Sequence, residues 1–254
     1  MLTNISVIAV KEIRTYFASP MAYVVAAAFL AITGFFFVAS VVPTFSVASI
    51  RGFLAGSVFF MIFMSPALTM RLIAEEQKLG TLELLFTSPL REAEVVIGKF
   101  LSAFVILLVM FALSLYFVLM LYVLGDPDTG PIGSGYLGLI LYGSATLAVG
   151  IFASSLSSNQ IVGLVVGSGI LTGLTVIDFV SERLTGTAQK VLDGLQLGAS
   201  FSVFDLNSFG VAQSGHFADF ARGIISLGDI AYYLSVTAVF LILTVVVLEA
   251  KRLR

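Results

Sequence analysis

The side chains of this sequence that could do chemistry are few and far apart. His216 is the one histidine, and there is no cysteine. A protein metal site draws three or four ligands from His, Cys and carboxylates, and no second histidine or thiolate stands with His216. The missing cysteine also leaves no disulfide framework and no thiol nucleophile. A serine protease working within a membrane needs its serine and histidine on core helices, whereas His216, beside Phe217 and Asp219, falls outside the apolar runs. The phosphate-cradling pattern G-x-x-x-x-G-K-[ST] is absent, because Gly98-Lys99 is followed by Phe100 and lacks the earlier glycine. Asp178 sits near the end of an apolar run, where an interfacial carboxylate costs little. The expectation is therefore a chain that is not itself an enzyme, with no catalytic or metal-binding residue to assign.

Charge is densest between Arg71 and Arg91, in the order Arg71, Glu75, Glu76, Lys78, Glu83 and Arg91. Gly80 is suited to end a helix in a left-handed conformation, Thr81 to cap the next, and Glu83 to sit in a first turn facing the helix dipole. The helix this allows, Leu82 to Phe86, is very short. Ser88-Pro89 then restarts the chain as cap and first-turn proline, with Glu92 and Glu94 near the start of the following helix. Leu82, Leu84, Leu85 and Phe86 are more apolar surface than so short a helix buries against itself. On residue types alone, dipping into the lipid interface or the bundle is the simpler reading, and cover by a soluble partner is the other.

The elements that carry this elbow are set by apolar length. The chain has 254 residues, 59% of them hydrophobic and 11% charged, with a mean hydropathy of +1.08; soluble domains run at about 45–50% apolar and about 25% charged. Crossing about 30 Å of hydrocarbon takes about 20 apolar residues. Six segments reach that length: Met21 to Val42, Gly52 to Met70, Val95 to Leu124, Gly135 to Leu156, Gln160 to Val180 and Ile230 to Leu248. The fold class expected is an all-α, polytopic integral membrane protein of six transmembrane helices, forming a single domain over residues 1–254. Ser157, Ser158 and Asn159 alone separate the fourth and fifth spans, which makes a tight antiparallel hairpin unless the two merge. With both termini cytoplasmic, nine Lys and Arg residues fall inside and four outside (Arg51, Arg183, Lys190 and Arg222), the asymmetry that orients membrane proteins. A net charge of -2 and a pI near 5.4 speak against nucleic acid as a partner.

Three further segments carry patterns. Ile5, Ile8, Ala9, Ile13, Tyr16 and Phe17 recur at helical spacing before the first span, as in a helix over residues 1–19 lying in the membrane interface and ending at Ser19-Pro20. Lys11, Glu12 and Arg14 interrupt this stretch, so no cleavable signal peptide is expected. In the fifth span, Gly163, Gly167, Gly169 and Gly173 have the small-xxx-small spacing that lets membrane helices approach closely. Packing within the subunit is favoured there over packing across a dimer. Residues 181–229 on the outer side bring Phe201, Phe204, Phe209, Phe217 and Phe220, which suit short helices resting on or re-entering the outer leaflet.

Glu75-Glu76, Lys78, Gly80-Thr81-Leu82-Glu83-Leu84-Leu85 and Ser88-Pro89-Leu90, between the second and third spans, resemble the membrane subunit of an ABC transporter of the ABC-2 permease family. The resemblance extends to the first helix, the six-span layout and the long outer segment. Around His216-Phe217, Phe220, Gly223, Asp229 and Tyr232-Tyr233 the chain looks like the subgroup of gliding-motility permeases. The family resemblance implies that residues 71–94 form a cytoplasmic coupling elbow, with Thr81 to Phe86 seated in a cleft of an ATP-hydrolysing subunit and flanked by Glu75 and Glu76, which reverses the simpler reading of that segment. It further implies separate ATPase subunits binding ATP and magnesium, a second permease subunit identical or paralogous to this one, residence in a bacterial or archaeal cytoplasmic membrane, and export. Two alternatives belong to other classes. One is a structural membrane anchor for an ATPase in a motility or envelope complex; the other is a stand-alone secondary carrier, disfavoured because no clear inverted repeat or midplane charge is found.

Overall fold

The computed structural model describes residues 2–41, 49–81, 90–177, 186–201 and 212–252. Nine helices are present among them: α1 Leu2–Ala18, α2 Pro20–Val41, α3 Arg51–Leu79, α4 Glu92–Leu124, α5 Thr129–Leu156, α6 Gln160–Val176, α7 Thr187–Asp193, α8 His216–Arg222 and α9 Leu227–Arg252. Two short antiparallel strands, β1 Ser200–Phe201 and β2 Ala212–Ser214, pair between α7 and α8. Five helices, α2, α3, α4, α5 and α9, are long and apolar enough to cross a membrane. The fifth expected span is a helix of 17 residues over Gln160–Val176, and residues 178–180 of that expected segment, Asp178 among them, lie outside the described residues.

The chain breaks where its capping chemistry directs. Ser19 separates α1 from α2, its Oγ accepting from Met21 N at 3.4 Å, and Pro20 opens α2 at a position where a missing N–H costs nothing. Gly80 ends α3 with φ 70° and its N–H on Gln77 O, a left-handed cap that glycine takes without a Cβ penalty. Asn159 Oδ1 accepts from Ile161 N at 2.9 Å to start α6, so the fourth and fifth expected spans stay separate. α3 and α5 extend furthest past their expected bounds at a single end. α3 continues beyond Met70 to Leu79 because Arg71 finds partners inside the fold. α5 begins at Thr129, with Asp128 Oδ1 accepting from Gly130 N at 3.1 Å and Ser134 Oγ reaching Phe220 O at 2.7 Å.

α3 and α5 are the inner helices of the bundle. Between them the contact is made by small and hydroxylated residues, as expected where lipid tails offer no hydrophobic force for association. Ser65 Oγ lies 2.8 Å from Thr146 Oγ1, and Tyr142 donates to Val58 O at 3.2 Å. Gly150 lets the helices approach: a Cβ there would collide with Thr69 Oγ1 and lie 3.2 Å from the Pro66 Cα. Aromatic rings fill the layer between α2, α3 and α4, with Phe29 against Phe111 at 5.9 Å and Phe53 against Phe117 at 5.5 Å. α9 packs on the far side of α5, and α1 lies along α4.

Candidate functional site

One end of the bundle gathers the charged groups of chain segments far apart in sequence. Lys99, in the second turn of α4, is 2% exposed. Its Nζ donates to Glu12 Oε1 of α1 at 3.0 Å and lies 2.8 Å from Glu76 Oε1 of α3. Taking an ammonium out of water is unfavourable by several kcal/mol unless opposite charges meet it, and here two carboxylates do. The residue before it, Gly98, lets α1 come close: a Cβ there would lie 2.8 Å from Ile8 Cγ2 and 3.2 Å from Ile5 O. The Gly98-Lys99 pair that failed as a nucleotide motif is thus a packing contact followed by an ion clamp.

Further bonds converge on the same end. Arg71 Nη1 donates to Ser19 Oγ at 2.9 Å, and its Nε is 3.5 Å from Glu75 Oε2. The Tyr16 hydroxyl donates to Leu68 O at 2.5 Å; burial, helped by the charge of Glu12, pushes its pKa well up, so it stays a neutral donor. Lys251 Nζ of α9 reaches Gln77 Oε1 at 2.9 Å and Ser155 O at 2.7 Å, and Gln77 Nε2 donates to the same Ser155 O at 3.1 Å. Arg252 pairs with Glu92 at 2.5 Å. Asn4 Nδ2 donates to Glu94 Oε2 at 3.2 Å. The last turns of α3 and α9 and the first turn of α4 are in this way tied to α1 and to the end of α5.

Between α1, α3 and the start of α4 a cleft of about 540 Å³ opens, with Lys11, Glu12, Arg71, Glu75, Glu76 and Lys99 as its charged lining. Glu75 stands at the rim, its side chain 40% exposed, while Glu76 is turned inward at 18%. Glu76 Oε2 is buried without a hydrogen-bond partner among the described residues. Gly80 and Thr81 are exposed at the lip, and the Thr81 hydroxyl donates back to Glu76 O at 3.4 Å. Leu82, Glu83, Leu84, Leu85 and Phe86 lie outside the described residues. Of the expected elbow, the structure describes residues 71–81, at the end of α3, and 90–94, at the start of α4.

The small-residue pattern of α6 divides between two faces. A Cβ on Gly163 would lie 3.3 Å from Ser154 Cα, and one on Gly167 would lie 3.1 Å from Pro66 and 3.2 Å from Ala153. Those two positions pack on α3 and α5. Gly169 and Gly173 have nothing within 4 Å and are exposed.

Sequence reasoning overlooked Glu12 and Lys99 as members of the charged site. Their signal was there to read, since both interrupt runs of otherwise apolar residues, but the same signal also marks the end of a membrane span. The apolar stripe of α1 has a tertiary partner too: Ala9 and Tyr16 are buried and Ile5, Ile8 and Ile13 half-buried against the bundle. The outward face carries Val7, Val10 and Phe17 with Lys11 and Arg14.

Compared with known protein families, residues 42–248 match the family described as ABC-2 family transporter protein, over most of the chain. The chain belongs to the ABC-2 family of transporter proteins. No curated protein matches it. As an ABC-2 protein it is a multi-pass membrane permease subunit of an ABC transporter, a transport component and not itself catalytic, and it associates with ABC ATPase partners. The match begins at residue 42, so α1 and α2 lie ahead of it, whereas Lys99 and Glu76 fall within it.

Proposed function

We propose that this ABC-2 subunit lines a translocation path together with a second permease subunit, and that ATP hydrolysis on separate ATPase subunits drives export through it. ATP and magnesium are bound by those partners, and the chain's own contribution is to receive their movement. Residues 71–94 act as the coupling elbow: Thr81 to Phe86 meet the ATPase, Glu75 offers its carboxylate at the rim, and Glu76 carries displacement inward. α6 completes six spans, α1 lies in the interface with Val7, Val10 and Phe17 toward lipid, and both termini face the cytoplasm.

The observation that supports this reading most is the path from Gly80 into the bundle. α3 is one continuous helix from Arg51 to Leu79, and its last turns are fixed through Glu76 to Lys99 and Glu12, and through Gln77 to Lys251 and Ser155. A push at the elbow therefore reaches α1, α4, α5 and α9 together. This suits a rigid relay, in which packed elements with discrete arrangements carry a displacement between distant sites.

The test is to reconstitute the subunit with its ATPase partner and measure ATP hydrolysis and export separately in Glu76→Ala and Leu84→Asp. Hydrolysis retained with export lost supports the coupling role. Normal export in both variants removes the elbow from the mechanism.

A further inference from the structure

The face of α1 turned away from the bundle carries two cations that nothing else in the fold neutralises. α1 crosses the charged end of the bundle and does not run down its length. Asn4 bonds to Glu94, Ile8 packs at Gly98 and Glu12 meets Lys99, all in the first turns of α4, while Tyr16 and Ser19 reach Leu68 and Arg71 toward the end of α3. α2, long and apolar enough to span a membrane, begins at Pro20 with only Ser19 between the two helices. Positions 7, 10, 11, 14, 17 and 18 follow the helical repeat along the other face, and Val7, Val10, Lys11, Arg14, Phe17 and Ala18 are all exposed there. A groove of about 560 Å³ runs along it, lined by Ser6, Val7, Val10, Lys11, Arg14 and Thr15. Neither the Lys11 nor the Arg14 side chain has a hydrogen bond or ion pair among the described residues. Glu12, the acidic residue of α1, is turned inward to Lys99.

We infer that this face binds anionic phospholipid, with Lys11 and Arg14 on the headgroup phosphate and Val7, Val10 and Phe17 against the acyl chains below it. Water alone would satisfy the two cations, but the apolar side chains share their stripe and gain nothing from water. A phospholipid meets both needs, and basic with apolar residues on one helix surface is the composition of helices that lie on membranes. Lys and Arg rest their methylene stems on apolar surface and carry the charge to the level of the headgroups, where a guanidinium takes two phosphate oxygens together. A zwitterionic headgroup brings its own ammonium, whereas an anionic one leaves its charge for Lys11 and Arg14 to neutralise, which gives the preference for acidic lipid. An acidic protein surface would also attract the cations. Lipid is favoured because α1 runs directly into the α2 span, which holds the stripe at the membrane surface. The site rests on α1 lying in the interface, as proposed above, and needs neither the elbow nor an assigned leaflet.

The sequence has no tryptophan, so Phe17→Trp places a single indole on this face. The full chain carrying it is reconstituted, alone and with its ATPase partner, in nanodiscs of mixed phosphatidylcholine and phosphatidylglycerol. One lipid or the other is brominated at the same acyl position, so that the two quenchers differ in headgroup alone. The quenching curves should show phosphatidylglycerol preferred by about fivefold or more, the factor that one Lys or Arg near an anionic surface contributes. Adding Lys11→Gln and Arg14→Gln should bring the ratio of the two lipids to about one. Should that variant not fold, high salt on the Phe17→Trp protein serves the same comparison, because it screens an exposed charge pair. Equal quenching by the two lipids, or a preference that survives loss of both cations or high salt, overturns the headgroup site and leaves α1 in the interface. Quenching by neither lipid removes α1 from the interface, and the site with it. Quenching that disappears when the ATPase is added assigns the face to that protein and likewise overturns the lipid site.

Discussion

Lys99 and Glu76 lie 23 positions apart in sequence and 2.8 Å apart in the fold, with Glu12 completing the clamp at 3.0 Å. The lysine is almost fully enclosed, so the clamp joins α1, α3 and α4 at the last turn of α3, just before Gly80. Two carboxylates hold one ammonium, and each depends on the others for its neutralisation.

Removing the centre of the clamp should therefore be costly. Lys99→Met leaves Glu12 and Glu76 facing each other unpaired, and breaking a buried ion pair in this way costs about 3–5 kcal/mol. Thermal unfolding in detergent should show a large drop for the single variant, and the triple variant Glu12→Gln, Lys99→Met, Glu76→Gln should recover most of it. A single variant as stable as wild type would mean the clamp contributes nothing.

Glu75 and Glu76 should separate in their effects. Glu75 is at the rim and pairs with Arg71 at 3.5 Å while 40% exposed, and exposed pairs contribute about 0–1 kcal/mol. Glu75→Ala should leave the melting curve nearly unchanged and lower the export obtained per ATP hydrolysed. Glu76→Ala should lower both stability and export, because it also unmakes the clamp. Equal stability losses in the two variants would contradict the geometry.

The glycines divide just as sharply. Gly150→Ala places a methyl against Thr69 Oγ1, which is held by its bond to Ser65 O, and against the Pro66 backbone, and over-packing of this kind costs about 1–3 kcal/mol. Gly169→Ala meets nothing within 4 Å and should be neutral or stabilising by up to about 1 kcal/mol through helix propensity. Melting temperatures of the two variants check this. If Gly169→Ala instead weakens association of two copies while the single subunit keeps its stability, the exposed face of α6 is a contact between subunits.

Much of the fold was legible because membrane helices announce themselves by length and by the residues that stop them. Ser19, Gly80 and Asn159 end or begin helices where their capping chemistry placed them. Arg71 was less transparent: as a charge after an apolar run it read as a boundary, yet Ser19 and Glu75 satisfy it inside a helix that goes on for two more turns. Lys99 interrupts an apolar run in the same way. Its partners come from elements 23 and 87 residues away, and periodicity reports the face of a helix, never the helix that will cover it. The apolar stripe on α1 shows this too, since its spacing fits lipid and a neighbouring helix equally well, and Gly98 is what brings α4 against it. His216 was weighed as a metal ligand or a protease residue, and its bond to Asp229 spans a turn that no motif specifies.

In the proposed mechanism an ATPase subunit grips this chain at the elbow. Because the sequence contains no cysteine, a single Leu84→Cys substitution gives one reactive position. Thiol crosslinking in native membranes, followed by mass spectrometry of the product, tests the claim directly, with Ile224→Cys at the opposite end as control. The account predicts that Leu84→Cys links to a chain carrying a nucleotide-binding P-loop and that Ile224→Cys does not. A crosslink to that chain from Ile224→Cys alone, or none from Leu84→Cys in membranes that still export, would contradict it.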